Sequence, residues 1–299
     1  MTHFHGIFPA VVTPFDSEGR FATGPFERLI GRLDDHGVHG IYVCGSTGEG
    51  LAQTVEQRKQ VADIAVKCLS ANKPVIVHVG AHRLEDAIEL AMHASRIGAA
   101  AISSLPPHGD YTFAEIRHYY QLVAAASDVP LLLYYLPELY PALSTLPQIL
   151  DLSEIRNVIG LKLTSVDLSM VSGLKRQGMV VFNGRDDILV AGLLMGADGG
   201  IGSFYNLIPE LFVQVYALTQ SERWTEARQV QEQINELISI TLRFPPFPAI
   251  KAMLCWSGID CGPVLSPRRP LTAGEEGELR MVLARSSFAS SLFAGVHTR

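Results

Sequence analysis

Val158 to Thr164 reads VIGLKLT, a lone lysine set in an apolar run with the length and flanks of a buried strand. Side chains alternate across a strand, so Ile159, Leu161 and Leu163 are expected on one face and Val158, Gly160, Lys162 and Thr164 on the other. Both faces look interior, as in a parallel sheet covered on both sides. A lysine there meets a polar environment only near the strand's end, where a cleft opens. Keeping an ammonium in such a place is costly, and the expected response is loss of its proton, which leaves an amine able to attack a carbonyl. The structural alternative is a stem lying along an apolar edge with its head in water.

Working outward from this run, seven more short β-branched or apolar segments alternate with amphipathic ones. The strands are expected at Gly6–Thr13, Ile41–Gly45, Val75–Gly80, Ala100–Leu105, Pro130–Tyr135, Val158–Thr164, Met179–Gly184 and Gly199–Ser203. Thr54 with Gln57, and Thr112 with Glu115, read as capping boxes that open helices. Alternating strands and helices imply parallel pairing through right-handed crossovers, and eight such units point to an α/β fold, a closed (β/α)8 TIM barrel. Beyond the eighth strand the alternation stops. Pro209–Leu218, Glu222–Leu242, Pro248–Ser257 and Gly274–Arg285 read as helices, with FPPFP at Phe244–Pro248 as a break. The expected division is a barrel over 1–220 and a helical bundle over 221–299 that either caps the barrel or makes a subunit contact.

Of the 299 residues, 47% are hydrophobic and 18% charged, which suits one large core. The net charge of -6 gives no electrostatic reason to expect nucleic acid or an anionic membrane as partner. No run is long enough to span a bilayer, and the N-terminus has no signal-peptide pattern, so a cytoplasmic location is the default. The four cysteines, Cys44, Cys68, Cys255 and Cys261, form no CxxC pair and suggest neither a disulfide framework nor zinc.

In such a barrel the C-terminal ends of the strands form the active face. After strand two comes GSTGEG, Gly45 to Gly50, whose free N–H groups and Ser46 and Thr47 hydroxyls suit a small carboxylate; the Walker lysine of a phosphate loop is missing. A purely structural glycine turn is the rival reading. Strand five ends in LLLYYLP: Tyr134 should point into the barrel, beside Lys162 on the neighbouring strand at roughly 5 Å, and Tyr135 towards the helices. A phenol beside an amine can shuttle protons. Strand seven ends in NGRDDI, where Gly184, Asp186 and Asp187 either meet a polyol or, for the acids, begin a helix. Strand eight, GADGGIGSFYN, carries glycine where bulk is expected, which lets a ligand approach the backbone at Ile201 and Gly202, with Ser203 in contact. His3 and His5 form HxH but precede strand one and fall on the opposite face; His78 and His82 lack an acidic partner, so no metal site is expected.

GSTGE after strand two, a tyrosine opening Y-x-x-P after strand five, a lone lysine in strand six and GADGGIGS in strand eight together resemble the dihydrodipicolinate synthase/N-acetylneuraminate lyase family of pyruvate-dependent class I aldolases. The resemblance runs from about Gly6 through the C-terminal helices. It implies that Lys162 forms a Schiff base with a 2-oxo acid, Tyr134 relays protons, Ser46 and Thr47 hold the carboxylate, and Gly184, Asp186, Asp187 and Ser203 line the part that distinguishes substrates. It also implies a homotetramer with no cofactor and no metal. The strand-seven and strand-eight segments look more like the sialic acid lyases; Glu138, Leu139 and Tyr140 stand where the synthases carry an arginine. Two features depart from the lyases: Asp187 replaces a glutamate, with Arg185 beside it, and Leu105-Pro106-Pro107-His108-Gly109 replaces a tyrosine pair, one of which enters the neighbouring subunit's site. His108 or Tyr111 is the candidate replacement.

The expected activity is cleavage of a 4-hydroxy-2-oxo acid to pyruvate and an aldehyde. Its alternatives are condensation of pyruvate with aspartate semialdehyde, cleavage or dehydration of a 2-keto-3-deoxy sugar acid, and non-catalytic sensing of a 2-oxo acid. In each case the partner is a small molecule, pyruvate or a 2-oxo sugar acid.

Overall fold

A computed structural model describes residues 4–289 of the chain. Eight strands, β1 (Gly6–Pro9), β2 (Ile41–Val43), β3 (Val75–His78), β4 (Ala101–Ser104), β5 (Leu131–Tyr135), β6 (Val158–Leu163), β7 (Val180–Asn183) and β8 (Gly199–Gly202), lie at the eight expected places, and all but β5 end a residue or more sooner than the apolar runs suggest. Helices α1 (Thr23–Asp35), α2 (Val55–Cys68), α3 (Leu84–Arg96), α4 (Phe113–Ala125), α5 (Leu146–Ser153), α6 (Ser169–Arg176), α7 (Leu189–Leu194) and α8 (Pro209–Gln220) follow the strands in turn. The strands form one parallel sheet in the order β1-β8-β7-β6-β5-β4-β3-β2. A single parallel bridge between Ala10 and Tyr42 brings β1 to β2 and closes the TIM barrel.

Helix starts follow the local chemistry. Thr112 and Glu115 form a reciprocal capping box at α4, and the Thr54 hydroxyl accepts from the Gln57 N–H at α2. Thr145 and Gln148 make a further box at α5. Three more helices, α9 (Trp224–Thr241), α10 (Pro246–Trp256) and α11 (Ala273–Ala284), complete the described chain. The expected break falls between α9 and α10 but is shorter than FPPFP: α10 begins inside that motif, because proline lacks only an N–H that the first turn leaves unpaired anyway.

Two apolar layers hold the barrel. Between strands and helices pack residues such as Ile7, Val43, Val77, Leu133, Leu161, Leu163 and Val181. Inside, Phe8, Tyr42, Ile76, Leu132, Phe182 and Ile201 fill the bore. Ile159 joins this inner set, although strict alternation puts it with Leu161 and Leu163. The register explains the difference. Leu131 pairs with Val158 and Leu132 with Gly160, so Ile159 has no partner in β5 and the strand's phase changes there. Above the irregularity Tyr134 pairs with Lys162, and Lys162 pairs in turn with Phe182 of β7. No described helix is long and apolar enough to cross a membrane.

Candidate active site

Lys162 stands near the C-terminal end of β6 with 6% of its surface exposed. Its Nζ lies 4.2 Å from the centre of the Tyr134 ring and 5.2 Å from that of Tyr42. Tyr42, on β2, donates to Ser103 Oγ at 3.2 Å and meets the Tyr134 ring edge-on at 6.4 Å. His78 meets Tyr134 at a right angle from β3, 6.1 Å away. The amine therefore sits over a floor of aromatic faces, each carried by a different strand. Tyr42 was legible only as a strand residue, since IYV reads as uniformly apolar.

Burial pushes the Tyr134 phenol up, but the Lys162 charge, with the Ser46, Lys162 and Thr164 groups facing its oxygen, outweighs burial and leaves it below the ordinary phenol range. Ser46 is exposed at the mouth and Thr47 buried beneath it. Thr47 Oγ1 and Ser203 Oγ are 2.7 Å apart, so the loop after β2 is joined to the loop after β8. Tyr135 points outward as expected and donates to the Ser144 carbonyl at 2.8 Å.

The segment after β7 divides its two acids. Asp186 turns inward and accepts from the Phe204 N–H at 2.8 Å, which fixes the turn that carries Ser203. Its carboxyl fills the space behind Gly202, where a Cβ would come within 1.9 Å of Oδ1. Burial raises it to about 6, against the Phe204 N–H and the Lys162 charge, which act in the opposite sense. Asp187 is bound by Arg185 through two bonds, Nη2 to Oδ2 at 2.8 Å and Nε to Oδ1 at 3.0 Å. These bonds hold its carboxyl below the usual range. Helix α9 supports the segment from behind: Gln231 donates to the Asp186 carbonyl and Asn235 to that of Asp187. Gly184 lies against Thr164, and a Cβ there would meet its hydroxyl at 2.2 Å. Ile201 is fully buried among the inner aromatics, below the rim.

His108 and Tyr111, the candidate replacements for the missing tyrosines, lie among different groups. His108 is exposed, and its ring centre lies 6.5 Å from that of Tyr140. Tyr140 is buried and packs with Leu105 and Tyr134. Tyr111 instead lines a groove of about 480 Å³ with Ala81, His82, Pro107 and Tyr119. His3 lies outside the described residues. His5 is at the opposite end of the barrel, where its Nδ1 is 3.2 Å from the Tyr216 hydroxyl. His78 Nε2 accepts from the Leu105 N–H at 3.1 Å, and burial, Arg58 and Lys162 all hold the ring neutral. Among the described residues no three His, Cys, Asp or Glu side chains are grouped to hold a metal ion.

Glu49 escaped the sequence reading. It lies in the loop after β2, is 3% exposed, and its Oε1 is 2.8 Å from Lys251 Nζ on α10, an ion pair without the angle of a good hydrogen bond. Nothing local in the sequence signals a pairing over so long a separation.

Residues 3–286 match the Dihydrodipicolinate synthetase family. The chain is 34% identical over 280 residues to an N-acetylneuraminate lyase of Rhizobium meliloti (strain 1021), covering 92% of this chain and 91% of that protein. Among solved structures it resembles CdNal from Clostridium difficile in complex with mannosamine, at a TM-score of 0.90 and 29% identity over 95% of this chain and 100% of that one. It also resembles the wild-type sialic acid aldolase of Ruminococcus gnavus, at a TM-score of 0.90 and 28% identity over 98% of both chains.

Proposed function

This chain belongs to the dihydrodipicolinate synthetase family, and from that membership we propose that it is a class I aldolase, a carbon–carbon lyase that cleaves an N-acetylneuraminate-like 4-hydroxy-2-oxo acid to pyruvate and an aldehyde. The observation that carries the reading is the single amine of Lys162 over the Tyr134 ring, at the barrel end where Ser46, Thr47 and Ser203 converge. The similarity to N-acetylneuraminate lyases favours cleavage over condensation with aspartate semialdehyde, as does exposed Glu138 beside the rim, whose charge opposes an amino-acid carboxylate.

In this reading the amine of Lys162, once it has given up its proton, attacks C2 of the substrate, and the carbinolamine loses water to a protonated imine. Ser46 and Thr47 hold the C1 carboxylate while Tyr134 moves protons between the amine, the departing water and the 4-hydroxyl. Removal of the 4-hydroxyl proton breaks the C3–C4 bond; the electron pair passes into the iminium, giving the enamine of pyruvate and a free aldehyde. Protonation at C3 and hydrolysis release pyruvate and restore the amine. Gly184, Asp187, Gly202 and Ser203 shape the side of the site that receives the substrate's tail, with Ile201 and Asp186 supporting them from behind. A homotetramer in the cytoplasm completes the proposal on the strength of the family resemblance.

Incubation with pyruvate and borohydride tests the chemistry. The expected product carries a reduced pyruvyl group on Lys162; an unmodified protein rejects the mechanism. N-acetylneuraminate, 2-keto-3-deoxygluconate and aspartate semialdehyde, assayed side by side, test the substrate, with turnover of the first expected.

A further inference from the structure

The loop that carries Ser46 and Thr47 is wound more tightly than its glycines require. It begins and ends on two non-glycine residues in the left-handed region, Cys44 at φ 62° and Glu49 at φ 56°. Between them the Glu49 N–H donates to the Ser46 carbonyl and the Gly50 N–H to that of Gly45. The turn closes so far that a Cβ on Gly50 would stand 1.8 Å from the Cys44 carbonyl oxygen. Left-handed backbone at a side-chain-bearing residue persists only where the surroundings impose it.

The surroundings of Glu49 come from the C-terminal part of the chain. Its Oε1 pairs with Lys251 Nζ at 2.8 Å, and its Oε2 accepts from the Leu265 N–H at 2.7 Å. Lys251, 4% exposed, also donates to the Pro263 carbonyl at 2.7 Å and lies 4.3 Å from the centre of the Phe15 ring. The loop is thus gripped on two sides, by Ser203 through Thr47 and by α10 through Glu49. The first grip contains groups given a role with substrate above. The second does not: both members of the ion pair are occupied away from the mouth. A buried pair of this kind adds little to stability relative to apolar residues of the same volume, but it is directional, and removing one member strands the other.

We propose that Glu49 and Lys251 are a positioning pair through which the C-terminal helices set the shape of the loop, and thereby the affinity of the site for the carboxylate of a 2-oxo acid. The inference rests on the aldolase reading. It assigns the C-terminal extension a part in binding, distinct from any part in assembly.

The test uses the full-length protein and the variants Lys251→Met, Glu49→Gln and the two combined. Two quantities are measured: the pyruvate concentration that gives half-maximal borohydride trapping at Lys162, and the separate kcat and KM for cleavage. Each single variant is expected to raise the half-trapping concentration and KM by about 10-fold, with kcat within about 3-fold of wild type. The double variant is expected to be less impaired than Lys251→Met alone, because no carboxylate is left stranded. Glu49→Gln keeps the side chain's shape and an oxygen for the Leu265 N–H, so it decides the matter if Lys251→Met fails to fold. Folded variants with unchanged half-trapping concentration, or with a lower kcat at constant KM, overturn the positioning role. Wild-type protein that pyruvate and borohydride leave unmodified overturns the aldolase reading and this inference together, whereas trapping in wild type with unaltered variants overturns this inference alone.

Discussion

Lys162 and Tyr134 are register partners on adjoining strands, and the amine stands 4.2 Å above the centre of the phenol ring rather than at its edge. The ring holds the stem in place, while the hydroxyl stands among the Ser46, Lys162 and Thr164 groups at the mouth of the site. Tyr134→Phe preserves the ring and removes the hydroxyl. Its kcat is expected to fall by about 100-fold or more, while borohydride still traps pyruvate on Lys162. Full activity in the variant would show that another group moves the proton.

Arg185 and Asp187 neutralise each other on the rim. Asp187→Asn releases the guanidinium. The ratio of kcat/KM for a substrate whose tail carries a second carboxylate to that for a neutral polyol tail is expected to rise by about 10-fold. An unmoved ratio would place the pair away from the tail.

Asp186 makes the stability of the protein depend on pH. Its folded value of about 6 lies above that of an unfolded aspartate, so the protonated form is the one the fold favours. The stabilisation is fullest below the unfolded value and is lost as pH rises through 6. Asp186→Asn keeps an acceptor for the Phe204 N–H and does not titrate. Thermal unfolding followed from pH 4 to 8 should show the wild-type midpoint declining by about 2 °C or more relative to the variant; parallel curves would mean that the carboxyl is not buried in solution.

Tyr140 lies between buried Tyr134 and exposed His108, a sequence of groups leading from the amine to water. Tyr140→Phe is expected to lower kcat by about 10-fold with little change in KM, and Tyr111→Phe to leave both within about 2-fold. The opposite ranking would send the proton out on the side of the Tyr111 groove.

The barrel was legible because its signals are local. Each strand is a short apolar run, and one cation inside such a run marks the reactive position. Tyr134 followed from parity, and its partner from the order of the strands. What the sequence hid depends on groups that meet only in space. Glu49 looks like a solvated loop acid until Lys251 arrives from α10. Arg185 reads as a charge without purpose until the turn after β7 folds it onto Asp187 two residues away. Ile159 was assigned to the wrong face because alternation assumes an unbroken ladder. Gly160 presses against β7, where a Cβ would fall 2.0 Å from the Val180 carbonyl oxygen.

The unpaired Ile159 makes the reactive amine's direction a question of counting. Below it, β5 and β6 keep one phase; above it, another, and only the second lets Lys162 share a side with Tyr134. Were Ile159 paired in an unbroken ladder instead, the count would set Lys162 against Tyr135, turned towards the helices. A relative that kept this residue but paired it in a regular ladder would keep every catalytic side chain in its sequence and still be inert, so an inventory of motifs alone would misjudge it.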